Sequence, residues 1–459
     1  MKKWNQLFIR QGFMVEELER NIFNCTEETE ENVTFLLENL DRLSVAYAYE
    51  SGQLTISSPA VSEEQWLKVV DRMFRGRQDI WARPGVDIPE VRNLDLYISG
   101  IVRQLIRLGF QTTMSCDGHG KRAAFILVTK SRKVEELSDL FLAMGLKRVH
   151  TRNEGENYHL SLPFSQSELL DLAEKLSLIE VAWIGKGCDF LKEQLFRLML
   201  DELLMIQGES GREAAVRQFV MEKLRPHVDH LTVDCAGNIL AEKTYRSGNG
   251  PTILLNAHLD TVIDFEVGRQ IVKNGRIWTS SNGILGADDR AGVAVILQLA
   301  EFLNCCSTFS GRVKFIFTVE EESGLVGARK VDDYFLWGTD AAIVVDRRGN
   351  GDIVTSCGGS IPFCDELYGQ IFENVAVAEG LEGWSVCPGG SSDTRIWAGH
   401  GIQSVNLSAG YKYEHTDQEL LDVTACYGTV TLLKGFFKKS GGLRTVLRNS
   451  RANISANQS

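Results

Sequence analysis

The sequence predicts an α/β fold with a mostly parallel central sheet, and three observations support this prediction. Four short apolar runs, over residues 252–257, 313–319, 341–345 and 402–407, have the composition and length of strands buried on both faces. Residues 291–303, between the first two runs, have helical spacing. Acidic or imidazole side chains follow the runs, as expected where the carboxyl ends of strands in an open α/β sheet form a site.

Length and composition are those of an ordinary globular protein. The chain has 459 residues, enough for two or three domains, with 44% hydrophobic and 24% charged residues. A formal net charge of -12 argues against a nucleic-acid partner. The first apolar segment is interrupted by Asn5, Gln6 and Arg10, so we predict neither a signal peptide nor a membrane-spanning segment. The cysteines are scattered, which is typical of reduced thiols and predicts a cytoplasmic protein.

We expect four regions along the chain. Residues 1–89 form an N-terminal helical or mixed region that ends among turn-forming residues. Residues 90–185 alternate helical and strand patterns and predict a small α+β domain, with Ser165 as the N-cap of its last helix. Residues 189–440 contain the four apolar runs, and residues 441–459, rich in Arg, Asn and Ser, predict a flexible tail. No internal repeat is apparent.

A polar turn in the second region contains Cys116 and His119. The two side chains are close enough in sequence to share a metal ion, but a structural site needs about four ligands. The sequence does not identify the other two, so we favour a turn over a metal site. Contact with the ligand of a regulatory module is the alternative.

Five candidate metal ligands follow the apolar runs or precede the helix, namely His258, Asp288, Glu322, Asp346 and His415. Each alone has a simpler interpretation, such as a loop histidine, a helix N-terminus or a solvated acidic cluster. Together they supply two imidazoles and three carboxylates, which are donors that zinc accepts. The set allows one histidine and one terminal carboxylate for each of two ions, with Asp288 between them.

Two more carboxylates have a place in this chemistry. Glu321 could take a proton from a water molecule that lies between the two ions. Asp260 follows His258 closely and could hydrogen-bond its imidazole, which would fix the tautomer. We therefore predict catalytic roles for Glu321 and Asp260.

Residues 190–440 resemble the zinc exopeptidase clan that includes peptidase T, the aminoacylase-type hydrolases and the deblocking aminopeptidases. The resemblance depends on five motifs in order, which are Ala-His258-Leu-Asp260, Gly286-Ala-Asp288-Asp-Arg-Ala-Gly, Thr318-Val-Glu-Glu321-Glu322-Ser-Gly, Val345-Asp346 and His415-Thr-Asp-Gln-Glu419. It implies a three-layer, phosphorylase/hydrolase-like catalytic domain over residues 189–440, with Glu321 as general base and Glu322 as a metal ligand. It also implies a substrate loop at Gly390-Ser-Ser-Asp393, which makes Ser392 and Asp393 candidate substrate-binding residues.

The chain departs from these relatives in having no room for an inserted domain. Peptidase T and the aminoacylases carry a lid or dimerisation domain after the terminal carboxylate ligand, and the deblocking aminopeptidases carry a domain before the bridging aspartate. Here only residues 347–390 and 259–287 occupy those places, and both segments are too short. We therefore expect a lidless catalytic domain of undetermined oligomeric state. Our hypothesis is that residues 1–185 partly replace the lid.

The sequence thus predicts a two-metal hydrolase of peptide bonds, either an aminopeptidase or a di- or tripeptidase. We expect two divalent metal ions, with zinc as first choice and cobalt or manganese as alternatives. The same residues could serve an N-acyl amino acid deacylase or another amidohydrolase. A regulatory binding protein with a vestigial hydrolase domain is the alternative that is not an enzyme. The expected partner is a peptide or acyl-amino-acid substrate, with no nucleic acid and no membrane.

Overall fold

The computed structural model describes residues 2–71, 75–76, 82–440 and 443. The chain divides into two compact units, Met1–Leu195 and Phe196–Ser459. The tail that we predict over residues 441–459 lies outside the described residues, except for Leu443. Within the described ranges, no helix is both long and apolar enough to cross a membrane.

The first unit is built from two four-stranded antiparallel sheets and six α-helices in its described residues. The helices are α1 Trp4–Arg10, α2 Glu30–Arg42, α3 Glu63–Val70, α4 Ser99–Arg107, α5 Val134–Ala143 and α6 Gln166–Ser177. The strands are β1 Glu16–Glu19, β2 Ile22–Asn24, β3 Tyr47–Glu50, β4 Gln53–Ile56, β5 Thr112–Cys116, β6 Ala124–Thr129, β7 His150–Glu154 and β8 Asn157–Leu162. Short 3-10 turns are formed by Val91–Asn93, Gly118–Gly120 and Val181–Trp183.

These elements repeat a single arrangement, so our prediction that the chain has no internal repeat is wrong. The order α1-β1-β2-α2-β3-β4-α3 recurs as α4-β5-β6-α5-β7-β8-α6. The two sheets also have equivalent strand orders, β1-β2-β4-β3 and β5-β6-β8-β7, with antiparallel pairing throughout. We call the two copies the first and second modules.

Little of the repeat survives in the sequence. Residues 9–13 read Ile-Arg-Gln-Gly-Phe and residues 106–110 read Ile-Arg-Leu-Gly-Phe, and each segment ends the first helix of its module. Gly12 and Gly109 have φ angles of 92° and 91°, in the left-handed region that favours glycine. In both copies the next phenylalanine N–H bonds to the carbonyl five residues earlier, at 3.0 and 2.9 Å. Both modules therefore need a glycine at this position, because the backbone there is left-handed.

The last helix of each module starts in the same way. Ser165 caps α6 as predicted, because its hydroxyl accepts a hydrogen bond from the Glu168 N–H. Ser62 caps α3 through the Gln65 N–H, and both serines form reciprocal capping boxes. This cap is the second local feature that the two modules share.

Helix α7 (Cys188–Leu204) spans the division between the two units. The remaining helices are α8 Ala214–Leu224, α9 Ala287–Cys305, α10 Val326–Arg329, α11 Asp333–Leu336, α12 Glu366–Ala378, α13 Asp393–Gly399 and α14 Val423–Lys439, with a 3-10 turn at Arg225–His227. The strands of the second unit are β9 His230–Val233, β10 Ile239–Tyr245, β11 Thr252–His258, β12 Ile271–Asn274, β13 Ile277–Ser280, β14 Gly311–Thr318, β15 Ala341–Arg347, β16 Asp352–Cys357, β17 Ile361–Pro362, β18 Ser385–Gly389, β19 Gln403–Ser408, β20 Tyr411–Lys412 and β21 Leu420–Asp422.

The main sheet of the second unit has the order β17-β16-β19-β15-β11-β14-β10-β9, with β18 paired to β16. Its central strands β14, β11, β15 and β19 are parallel, and they are the four apolar runs of the sequence. The prediction of an α/β fold is therefore confirmed, but the sheet as a whole is mixed, because only its central part is parallel. Antiparallel strands, including the β9–β10 hairpin, complete both edges.

Helices cover both faces of this sheet. In β11, Ile253 and Leu255 are buried in a core that also contains side chains of α8, α9, α12 and α14. The intervening Leu254 is buried in a second core with Trp397 of α13 and side chains of α10 and α11. Because side chains alternate across a strand, these two cores lie on opposite faces. The second unit therefore has three layers, as expected.

The two segments where an inserted domain could occur belong to the second unit itself. Residues 259–287 supply β12 and β13, which form a small four-stranded sheet with β20 and β21. Residues 347–390 supply α12 and strands β16, β17 and β18 of the main sheet. Neither segment forms a separate lid, as predicted.

Candidate metal centre

The five predicted ligands lie together at the carboxyl ends of the central parallel strands of the main sheet. His258 ends β11, Asp346 lies near the end of β15, and Glu322 follows β14. Asp288 lies at the start of α9, where its backbone angles are not helical, and His415 follows β20. Since β11 pairs in parallel with both β14 and β15, their carboxyl ends converge.

Asp288 lies between the two histidines. Its Oδ1 atom is 3.1 Å from Nε2 of His258, and its Oδ2 atom is 3.2 Å from Nε2 of His415. On the first side, Oδ1 of Asp346 is 3.7 Å from the same His258 nitrogen. On the second side, Oε1 of Glu322 is 2.6 Å from the His415 nitrogen. Each side thus combines an imidazole, a terminal carboxylate and one oxygen of Asp288.

The chemistry of this donor set fits divalent cations. Ligand atoms of His258, Asp288 and Glu322 lie within 4.8 Å of one another, as do those of His258, Asp289 and Asp346. Imidazole nitrogen and carboxylate oxygen are the donors of catalytic zinc sites, which keep a position open for water or substrate. All the side chains except that of His415 are at most 10% exposed. A cation would offset negative charge that is otherwise buried.

Without a cation, the two histidines form hydrogen bonds with the surrounding carboxylates, and these bonds raise the pKa of both imidazoles. Burial opposes the charge on His258, but hydrogen bonds to Asp260, Asp288 and Asp346 raise its pKa well above the usual range. Hydrogen bonds to Asp288 and Glu322 raise the pKa of His415 to about 10. Both imidazoles therefore carry protons on atoms that a metal ion would need, so metal and proton compete here.

Asp260 connects His258 to the loop that carries the two glutamates. This carboxylate is fully buried, and its Oδ1 atom lies 3.3 Å from Nδ1 of His258. It also accepts the backbone N–H groups of Glu321 and Glu322 at 3.0 and 3.1 Å, and the Ser210 hydroxyl at 2.7 Å. Although burial opposes ionisation, these hydrogen bonds and the proximity of His258 lower the pKa of Asp260 to about 2. One carboxylate thus orients an imidazole and fixes the backbone of the glutamate loop.

Residues 238–427 match the sequence profile of Peptidase family M28. Over these residues the second unit is similar to the peptidases of this family. The chain is 33% identical over 139 residues to the uncharacterized protein YqjE of Bacillus subtilis, which covers 28% of this chain and 37% of that protein. It is 30% identical over 216 residues to peptidase T of Clostridium novyi, covering 44% of this chain and 48% of the relative. The chain therefore spans about half, or less, of the length of these two curated relatives.

One solved structure that resembles the chain is that of the aminopeptidase PepT from Bacillus cereus. The likeness has a TM-score of 0.49 at 19% sequence identity, and it covers 54% of this chain and 98% of that one.

The remaining predicted site residues of the second unit are Glu321, Ser392 and Asp393. Burial raises the pKa of Glu321 to about 9; His258 opposes this shift, while Asp346 and Asp393 add to it. Its carboxyl group therefore lies within the electrostatic reach of the centre. Glu320, outside the predicted pair, donates its N–H to the Glu213 carboxylate.

Ser392 and Asp393, the predicted substrate-binding residues, are both buried. The Ser392 hydroxyl caps α13 and accepts a hydrogen bond from the Asn406 amide at 3.2 Å. The Asp393 Oδ2 atom accepts a hydrogen bond from the Thr318 hydroxyl at 2.5 Å, and burial raises the pKa of this carboxyl to about 6. The other carboxylate oxygen of Asp393, Oδ1, is buried and has no hydrogen-bond partner among the described residues. Contact of Ser392 and Asp393 with substrate stays a prediction.

Glu419 supports Asp288 in a way that sequence reasoning missed. Its buried carboxylate accepts the backbone N–H groups of Gly286, Ala287 and Asp288 at 2.8, 2.8 and 3.1 Å. Burial raises the pKa of Glu419 to about 7, although these backbone donors favour its ionised form. The only sequence signal is its position at the end of the His415 motif.

Three other residues of the second unit form hydrogen bonds with the predicted ligands. Tyr411 donates its hydroxyl to Oδ1 of Asp346 at 3.0 Å. The Asn406 side chain accepts the Asp346 N–H at 2.9 Å and donates to the Asp346 carbonyl at 2.8 Å. Asp289, which is fully buried, accepts the His258 N–H at 3.3 Å. These contacts are tertiary, so sequence spacing gave no sign of them.

Proposed function

We propose that this protein is a metal-dependent exopeptidase that holds two divalent cations, zinc in the first instance, side by side. The observation that supports this best is the position of Asp288, whose two oxygens lie 3.1 and 3.2 Å from the nitrogens of different histidines. His258 and Asp346 would complete one site, and Glu322 and His415 the other. The similarity to peptidase T favours a peptide as substrate.

Two cations in these positions would lower the pKa of a water molecule and polarise the scissile carbonyl. Glu321 would accept a proton from the attacking water and later give it to the leaving amine. Without a cation, burial keeps the pKa of Glu321 at about 9, so the carboxyl would be protonated at neutral pH. A positive charge nearby favours the ionised form, which couples the basicity of Glu321 to metal binding.

Asp260 positions both parts of this machinery. It contacts Nδ1 of His258, which leaves Nε2 directed at Asp288. It also accepts hydrogen bonds from the backbone N–H groups of Glu321 and Glu322, which fixes the backbone that carries the base and the ligand. We therefore assign Asp260 a positioning role, whereas Glu321 acts on the reacting water.

Replacement of Glu321 tests the mechanism. We expect Glu321→Ala to keep its bound metal and to lose about 10²- to 10⁴-fold in kcat, the usual contribution of a general base. Glu320→Ala is the matched control, because Glu320 is adjacent but has no assigned role. Metal content by elemental analysis and turnover of a dipeptide should be measured on the same samples. An unchanged rate in Glu321→Ala would remove this residue from the mechanism.

A substrate comparison tests the reaction class. We expect hydrolysis of dipeptides with free amino groups to exceed hydrolysis of N-acylated amino acids in the presence of zinc, cobalt or manganese. The opposite preference would indicate a deacylase that uses the same centre. If neither class is hydrolysed and fewer than two equivalents of metal bind, the hydrolase proposal fails in favour of a vestigial site.

A further inference from the structure

The turn between β5 and β6 distinguishes the two modules of the first unit. In the first module, residues 20–21 alone connect the equivalent strands β1 and β2. In the second module, residues 117–123 make this connection, and β5 ends at Cys116. The extra residues of the second module therefore supply the Cys and His that the sequence analysis singled out.

The fold adds two carboxylates to this pair. Ligand atoms of Asp95, Cys116, Asp117 and His119 all lie within 4.8 Å of one another. Sγ of Cys116 is 3.9 Å from Nε2 of His119. Ordinary zinc–sulfur and zinc–nitrogen bonds at a tetrahedral angle would separate two such atoms by roughly 3.6 Å. The cluster thus supplies the four ligands that a structural site requires.

The imidazole of His119 is already oriented for a ligand role. Its Nδ1 atom lies 3.2 Å from Oδ1 of Asp117, and its backbone N–H donates to the same oxygen at 2.9 Å. A carboxylate on one ring nitrogen is the usual arrangement around a metal-binding histidine. Nε2 of His119 faces Cys116 and can bind the ion. Because Oδ1 of Asp117 contacts His119, Asp117 would bind the ion through Oδ2, which accepts the Tyr97 N–H at 3.4 Å.

The carboxylates of this cluster are buried beside each other. Asp95 and Asp117 are only 5% and 6% exposed, and Asp95 accepts the Asp117 N–H at 3.1 Å. The partly buried Arg75 attracts both carboxylates electrostatically, but its hydrogen bonds go to other groups, including the Leu94 carbonyl and the Ser99 hydroxyl. A cation between the two carboxylates would offset their charge. His119 is 63% exposed, so an ion can enter from solvent.

From these observations we infer that Asp95, Cys116, Asp117 and His119 bind a divalent cation of intermediate softness, zinc above all. A thiolate and an imidazole with two carboxylates favour zinc or cobalt over magnesium or calcium. The ion would tie the turn over residues 117–123 to Asp95, which precedes α4. This site is separate from the candidate metal centre and does not depend on the proposed hydrolase activity.

Cobalt distinguishes the two sites, because only this one contains a thiolate. The reduced, metal-stripped 459-residue chain should be titrated with Co²⁺ while the near-ultraviolet thiolate-to-cobalt charge-transfer band is recorded. We expect a band corresponding to one thiolate per chain, which Zn²⁺ then removes. The candidate centre has only imidazole and carboxylate donors and cannot produce this band. Absence of the band in the wild-type protein would overturn the inference.

Variants assign the band to particular side chains. We expect Cys116→Ser to abolish it and His119→Ala to weaken cobalt binding at least tenfold. His119 is exposed, so its replacement should leave the fold intact, which circular dichroism can check. Cys188→Ser is the matched control, because Cys188 is also partly buried but lies outside the cluster. A band that persists in Cys116→Ser, or an unchanged affinity in His119→Ala, would refute the assignment.

A further variant separates this inference from the proposed function. Asp288→Asn removes the ligand shared by the two sides of the candidate centre. We expect it to lower the total metal content while the thiolate band remains. Loss of the band in Asp288→Asn would mean that the two sites are not independent.

Discussion

Replacement of Tyr411 by Phe tests whether hydrogen bonds around the ligands control metal affinity. The Tyr411 hydroxyl donates to Oδ1 of Asp346 at 3.0 Å, and this oxygen also faces His258. A hydrogen bond to a charged group contributes about 1.5–3 kcal/mol, and loss of an outer partner typically lowers metal affinity about 10- to 100-fold. The substitution conserves the ring, so we expect zinc affinity to fall by that factor with little change in fold.

Tyr368 offers a matched control for this experiment. It is equally buried, and its hydroxyl donates to the Ala342 backbone carbonyl at 3.2 Å rather than to a ligand. Tyr368→Phe should reduce stability by about 0.5–1.5 kcal/mol, the usual value for a neutral hydrogen bond. It should leave the zinc affinity unchanged. Competition with a chromogenic chelator measures affinity, and urea denaturation measures stability. Equal affinity losses in the two variants, or none in Tyr411→Phe, would refute the reasoning.

Three further predictions concern protons, a buried ion pair and the first unit. The pKa of His415 is about 10 without metal, so metal binding should release protons. The affinity for metal should therefore rise with pH until about pH 10. Calorimetry in buffers of different ionisation enthalpy counts the released protons. Glu28→Ala removes the carboxylate that lies 2.7 Å from the buried Arg103 guanidinium. We expect the free energy of unfolding, measured by hydrogen exchange in α2 and α4, to fall by about 3–5 kcal/mol. Replacement of the exposed Glu27 by Ala should change it little. A fragment starting at residue 189 should bind metal but lose substrate selectivity; retained selectivity would contradict the hypothesis that residues 1–185 partly replace a lid.

The sequence predicted the parallel strands well because their pattern is local. A run such as residues 252–257 is apolar throughout, which is what burial on both faces requires. His258 at its end could also be predicted, because function concentrates at the carboxyl ends of such strands. The order of the central strands follows from their pairing in space and was not available from the sequence.

The supporting residues could not be predicted, because their partners are distant in the chain. Glu419 binds N–H groups of residues 286–288, and Asp95 reaches Cys116 only after α4 and β5 have folded together. The repeat escaped notice for a different reason. Many different residues can fill the buried and exposed positions of its strands, whereas Gly12 and Gly109 are restricted by the backbone.

The paired modules of the first unit indicate how a new turn could have arisen there. Tandem copies of one ancestral segment relieve each copy of part of the selective constraint, so one of them can gain residues while the other keeps the original connection. On this view, descendants of the same ancestor could carry the lengthened turn in either copy, or in neither.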